Sequence, residues 1–293
     1  MRFITLAAAG LATLALASAG LAFAQEQRPA HEFGPEHLDE PEGGWSFEGP
    51  LGNFDQNALQ RGYKVYREVC ASCHSMKSMS FRNLGQKGGP FYDPEFPNPN
   101  DNPRVKALAA DLTIPAIDEE TGDEEQVPAK TSDTFPNPFK NPAAARASNG
   151  GIAPPDLSVI TSAREGGASY IYSLLTGFRD PPAGLTVNGG QHYNVFYPGD
   201  TGSQWAGDPR LKPPGGFLAM PPPLKADGQV TFDDGTPSTV KQMSKDVATF
   251  LAWAADPKQE TRKQMGVGVV IYLLIFAVVV YLSYRRIWAK VEH

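Results

Sequence analysis

The chain has 293 residues, and its 26 basic against 32 acidic side chains leave a net charge of −6, which argues against a nucleic-acid partner and favours basic partners reached by electrostatic steering. Glycine (29) and proline (27) together make up nearly a fifth of the residues, so long irregular loops are expected in an otherwise ordinary globular composition.

The N-terminus opens with Arg2, runs through an apolar stretch from Phe3 to Ala22, and reaches the small-residue triplet Ala22-Phe23-Ala24. This pattern predicts a secretory signal peptide over residues 1–24, cleaved before Gln25, and the acidic, proline-containing sequence beyond it disfavours an uncleaved anchor. Residues 25–258 are then a periplasmic domain.

Leu59, Tyr63, Tyr66, Val69 and Cys70 recur at helical spacing after a candidate cap, Asp55, and predict a helix that leads into Cys70-Ala71-Ser72-Cys73-His74. The C-x-x-C-H pattern is that of covalent haem attachment. Residues three apart on a helical turn share a face, so two thiols can form thioethers to the vinyl groups of one haem c while the next residue turns its imidazole to the iron. A disulfide, a thioredoxin-like redox pair and half a zinc site use similar spacing. No second cysteine pair or histidine cluster completes a zinc site, and no βαβ pattern surrounds the motif.

Between 86 and 142 the chain holds ten prolines and little helical periodicity, which reads as an insertion that wraps the haem or meets other subunits. Inside it, Asp118, Glu119, Glu120, Asp123, Glu124 and Glu125 place six carboxylates in eight residues. That run is either a solvated loop or, with the acidic stretch Glu36 to Glu42, the source of a negative field for a basic partner. A short helix is expected from Ser169 to Thr176, ended by Gly177, and a longer one from Pro237 to Ala255.

After a linker over 259–265, Gly266 to Tyr284 is a run of nineteen uncharged residues, long enough to cross the hydrocarbon of a lipid membrane and lacking the polar face of a soluble helix. Arg285, Arg286 and Lys290 in the tail, residues 285–293, predict a cytoplasmic C-terminus by the positive-inside rule. The fold class expected is mainly α: a class I c-type cytochrome domain with long irregular insertions and one C-terminal transmembrane helix in a bacterial inner membrane.

His74 leaves the second axial position to be found by elimination. Met76 and Met79 are too near in sequence to reach the opposite haem face, Met265 and His293 flank the span, and Met243 lies on the apolar side of its helix. Met220, in Phe217-Leu218-Ala219-Met220-Pro221-Pro222-Pro223-Leu224, sits in a proline-stiffened loop suited to presenting one thioether, and is favoured over His192.

Read as an ordered set, these stretches resemble the cytochrome c1 family, the haem subunit of the ubiquinol:cytochrome c reductase (cytochrome bc1 complex). The resemblance covers Trp45-Ser46-Phe47, Gln60 to Tyr66, the haem motif through Lys77, Ala153-Pro154-Pro155-Asp156-Leu157-Ser158, Tyr170 to Gly177, the Met220 loop, and Met243 to Val247. It implies Met220 as sixth ligand, Arg146 near a haem propionate, and Pro155 as the carbonyl holding His74 through its other ring nitrogen. It further implies single-electron relay from a Rieske iron-sulfur protein to a soluble cytochrome c, beside a cytochrome b subunit, with no enzymatic activity of the chain on its own. Glu165 stands where many relatives have His, and the two cysteines leave none for the extra disulfide of some bacterial relatives. The competing functions are an anchored cytochrome subunit of a terminal oxidase or nitric-oxide reductase, and an open-site haem enzyme or sensor.

Overall fold

A computed structural model describes residues 36–290; the expected signal peptide and the last three residues of the tail lie outside the described residues. Helix α1, Gln56–Glu68, starts where the Asp55 side chain accepts from the amides of Asn57 and Ala58. Its inner face, Leu59, Tyr63, Val65 and Tyr66, is buried. It crosses α6, Val240–Ala255, whose N-cap Thr239 accepts from the Gln242 amide. The start expected at Pro237 therefore moves three residues on, to the point where a side chain satisfies an orphan N–H.

The crossing is close because Gly62 has no side chain. A Cβ there would stand 2.1 Å from the Asp246 carbonyl oxygen and 2.7 Å from the Phe250 Cβ. Beside it, Arg61 grips the fully buried Asp246 at two points, Nε to Oδ2 at 2.7 Å and Nη2 to Oδ1 at 3.1 Å. Gln242 donates to the same carboxylate from one turn earlier. Burial raises the Asp246 carboxyl above its ordinary value. Burial alone would lower Arg61, but Asp246 and Asp234 outweigh it and push the guanidinium further up. With both carboxylate oxygens satisfied, the pair is ionised at neutral pH.

Helix α5, Gly167–Thr176, packs against α6 and closes the helical core. An aromatic cluster of Tyr63, Tyr66, Phe81, Phe91, Phe135, Phe250 and Trp253 fills the space between the helices and the loops around them. Short helix α2, Phe81–Leu84, delivers Phe81 and Leu84 to this cluster.

The segment over 86–142 is more ordered than its prolines suggest. It carries α3, Pro103–Ala110, capped by Asn102 with proline in the first turn. An antiparallel hairpin follows, β1 (Thr113–Ile117) with β2 (Glu124–Pro128). The hairpin turns because Asp118 accepts from the amides of Glu120 and Thr121 while Gly122 takes a positive φ of 77°. Local turn chemistry overrode the weak periodicity there, and the acidic run occupies the hairpin's exposed tip. Helix α4, Pro142–Ser148, comes next.

A second, smaller cluster of Leu185, Tyr193, Val195 and Phe196 supports a two-stranded ladder, β3 (His192–Asn194) with β4 (Gly216–Leu218). Helix α7, Gln259–Trp288, is continuous through the segment read as a linker and projects with no buried residue. Its 30 residues extend about 45 Å at 1.5 Å per residue, and its most apolar window has a mean hydropathy of 2.7, making it a candidate membrane anchor. Its first turns are bolted to the preceding domain: Lys263 Nζ donates to the Phe47 carbonyl, Gln259 Nε2 to the same oxygen, and Glu260 accepts from the Phe54 amide. These bonds explain why the helix begins before the apolar run.

Candidate functional site

Helix α1 ends at Val69 and tightens into a 3-10 turn over Cys70–Ser72, where the Cys73 and His74 amides both donate to the Cys70 carbonyl, at 3.1 and 2.9 Å. The turn brings Cys70 and Cys73 onto one side as free thiols, the first half-buried and the second exposed. Burial, reinforced by the neighbouring Cys73, pushes the Cys70 thiol up to about 12. A pair of unbridged thiols is what thioether formation consumes.

His74 is held at three points. Its amide is fixed on Cys70, its carbonyl accepts from the buried Tyr66 hydroxyl at 3.4 Å, and its Nδ1 lies 2.8 Å from the Pro155 carbonyl oxygen. A carbonyl can only accept, so the proton sits on Nδ1 and the Nε2 lone pair is left for a metal. Burial lowers the imidazole's pKa, partly offset by the Pro155 carbonyl and by Asp156, so the ring is neutral as a ligand must be. The donor set, two free thiols and one imidazole of fixed tautomer, fits a haem c.

The segment opposite His74 is irregular and pinned by side chains. The half-buried Asp156 accepts from Ser75 Oγ at 2.7 Å, the Lys77 amide at 2.9 Å and the Ser158 amide at 2.9 Å. Burial would raise this carboxyl, but the bonds from Ser158, Lys77 and Ser75 outweigh it and hold it below its ordinary value. Sequence reasoning quoted Asp156, Ser75 and Tyr66 but assigned none of them a role at the site. The available signal was Asp156-x-Ser158, the spacing of a side chain bonding its own backbone two residues on.

Met220 follows β4 and is half-buried in a bend. The loop is fastened on both sides. Upstream, the Tyr193 hydroxyl donates to the Pro214 carbonyl and the Thr201 hydroxyl to that of Pro213. Gly215, with φ of 86°, passes where a Cβ would stand 2.1 Å from the Asn194 carbonyl oxygen. Downstream, Gln229 brackets Pro223 and Lys225, and Leu224 is buried in the main core.

The other methionines and histidines sort by place. Met76, Met79 and Met243 are core residues, 0–2 % exposed. His192 lies in β3 opposite Leu218 and lines a cavity of about 790 Å³ whose lining contains neither His74, the cysteines nor Met220. Arg146 is exposed on α4, with its carbonyl accepting from the Gly151 amide, just upstream of the 153–158 segment, and its guanidinium makes no ion pair among the described residues. No hydrogen bond or ion pair joins Met220 or Arg146 to His74 among the described residues. The structure thus brings together Cys70, Cys73, His74 and Pro155, and leaves Met220 and Arg146 on separate supports.

Comparison with known proteins agrees with this chemistry. Residues 45–291 match the Cytochrome C1 family. The chain is 42 % identical over 296 residues to cytochrome b/c1 of Bradyrhizobium diazoefficiens, covering 94 % of this chain but only 39 % of that longer protein. It is 41 % identical over 256 residues to cytochrome c1 1, heme protein, mitochondrial, of Arabidopsis thaliana, covering 87 % of this chain and 74 % of the relative. With the cytochrome c1 of Saccharomyces cerevisiae it shares 40 % identity over 237 residues, 80 % of this chain and 68 % of the relative. With a C-x-x-C-H turn, a tautomer-locked histidine, an apolar C-terminal helix and a match over most of its length, this chain belongs to the cytochrome c1 family.

Proposed function

We propose that the chain is the electron-relay subunit of a ubiquinol:cytochrome c reductase, passing single electrons from a Rieske iron-sulfur protein to a soluble cytochrome c. The observation that carries this reading is the His74 Nδ1 contact with the Pro155 carbonyl, which leaves Nε2 for iron beside two free thiols. In this reading Cys70 and Cys73 form the two thioethers, His74 and Met220 are the axial ligands, and Arg146 reaches a propionate through its exposed guanidinium. A covalently held haem supplies a one-electron couple, and Met/His ligation keeps its potential high.

The residues of the chain hold, orient and seal. Tyr66 holds the His74 backbone and Pro155 its imidazole, the β3–β4 ladder and Gln229 fix the Met220 loop, and the exposed Cys73 and Pro155 mark the edge nearest solvent, where a redox partner can approach. Quinol chemistry belongs to other subunits, and a cytochrome b partner is supported by the double name of the Bradyrhizobium relative. Helix α7 anchors the domain in a bacterial inner membrane, haem domain in the periplasm and C-terminus in the cytoplasm. The basic residues after the span and the expected signal peptide support that orientation.

Met220→Leu tests the reading. The haem should remain attached, because attachment depends on Cys70 and Cys73, while the midpoint potential falls strongly and reduced protein gains carbon monoxide binding. A parent-like potential with iron still closed to carbon monoxide would assign the sixth position to another residue.

A further inference from the structure

Pro155 has its φ fixed by its ring, as does Pro154 before it, so the direction of the Pro155 carbonyl depends on what holds the chain immediately downstream. That residue is Asp156. Its Oδ2 takes the Ser75 hydroxyl and the Lys77 amide, and its Oδ1 takes the Ser158 amide, all within 2.7–2.9 Å. Two further bonds run parallel to these: Leu157 N donates to the Ser75 carbonyl at 2.8 Å, and Ser78 N to Ser158 Oγ at 3.0 Å. Four of these five bonds stitch residues 75–78, leaving His74, to residues 155–158, carrying its acceptor; the carboxylate accepts two of the four, and its third bond, from the Ser158 amide, fixes it within its own segment.

We propose that Asp156 is a positioning residue of the iron site, registering the Pro155 carbonyl on His74 Nδ1 and thereby setting the orientation and donor strength of the imidazole. The proposal rests on His74 being the iron ligand. A hydrogen bond from Nδ1–H to a carbonyl makes the ring a stronger donor, and the orienting group behind such an acceptor shares in that control. The chemistry requires a carboxylate. An asparagine would turn an NH₂ toward either the Ser75–Lys77 donors or the Ser158 amide, replacing an acceptor with a donor.

The test uses full-length holoprotein in detergent, as parent, Asp156→Asn and Asp156→Glu. Nitrogen-15 NMR of the reduced, diamagnetic state follows exchange of the His74 Nδ1 proton, and a redox titration gives the midpoint potential. In Asp156→Asn the proton should exchange about tenfold faster or more, as expected for loss of a charge-assisted hydrogen bond, and the potential should rise because the ferric state loses donor strength. Asp156→Glu, which keeps the acceptors, should recover part of the protection. Exchange and potential unchanged in Asp156→Asn would overturn the proposal. His74 ring resonances without a haem ring-current shift in the parent would instead refute the ligand assignment. If Asp156→Asn does not accumulate, Ser75→Ala carries the test: it removes one donor and keeps the backbone bonds, and parent-like exchange in it would also overturn the proposal.

Discussion

Gly62 shows how one residue can set the geometry of a whole domain. The backbone of α6 approaches α1 so closely there that a methyl group would collide with a carbonyl oxygen, which cannot swing aside as a side chain can. Gly62→Ala should therefore lower stability by about 1–3 kcal/mol through overpacking, despite the better helix propensity of alanine. Denaturant unfolding of the holoprotein followed by haem absorbance checks this, and a variant as stable as the parent would mean that the helices can separate without cost. The cysteines and His74 were legible from sequence because their chemistry is local, five consecutive residues on one turn. Asp156 was not, because its partners Ser75 and Lys77 lie about eighty residues away and only the folded chain brings them to it.

The same crossing holds together at the level of elements through Arg61, Asp246 and Gln242. Asp246 is fully buried, so Arg61→Leu leaves a carboxylate bonded by Gln242 with no ion-pair partner among the described residues, which should cost about 3–5 kcal/mol at neutral pH. The dependence on pH has a definite sign. Burial raises the Asp246 pKa in the folded state, so the folded variant binds a proton more readily than its unfolded chain, and its stability relative to the parent should recover as pH falls through that raised value. Urea titrations of parent and variant at neutral and mildly acidic pH measure the difference; a gap that widens on acidification would show that Asp246 is not the group exposed by the substitution. Helices α1, α5 and α6 were foreseeable from caps and periodicity, whereas the short α2, α3 and α4 were not. The β1–β2 hairpin was not, since its strands are short and half-exposed, and its register comes from an Asp118 turn that periodicity does not register.

At the scale of the molecule, an acidic hairpin tip and a neutral-to-apolar anchor are carried on one compact helical core. Asp118, Glu119, Glu120, Asp123, Glu124 and Glu125 project together, with only Lys140 near Glu124 as counter-charge, at 3.8 Å, among the ion pairs of the described residues. Neutralising all six should slow electron transfer to a basic soluble cytochrome c at low salt and leave the haem potential nearly unchanged. The difference should fade as the screening length drops from about 30 Å at 0.01 M to about 8 Å at physiological ionic strength. Stopped-flow mixing across a salt series decides it, and equal rates at the lowest salt would reduce the tip to a solvated turn.

The sequence by itself determined the elements whose cause is contiguous in the chain: the C-x-x-C-H turn, the capped helix leading into it and the apolar span. Each rests on neighbours a few residues apart, where spacing alone decides which groups share a face. Only the tertiary structure decided the rest. The Asp156 bracket, the two-point Arg61–Asp246 contact, the anchorage of the Met220 loop on β3 and the fastening of α7 to the Phe47–Phe54 loop all join residues distant in sequence. Such pairings depend on which buried polar groups find partners once the core has closed, and no local pattern specifies that.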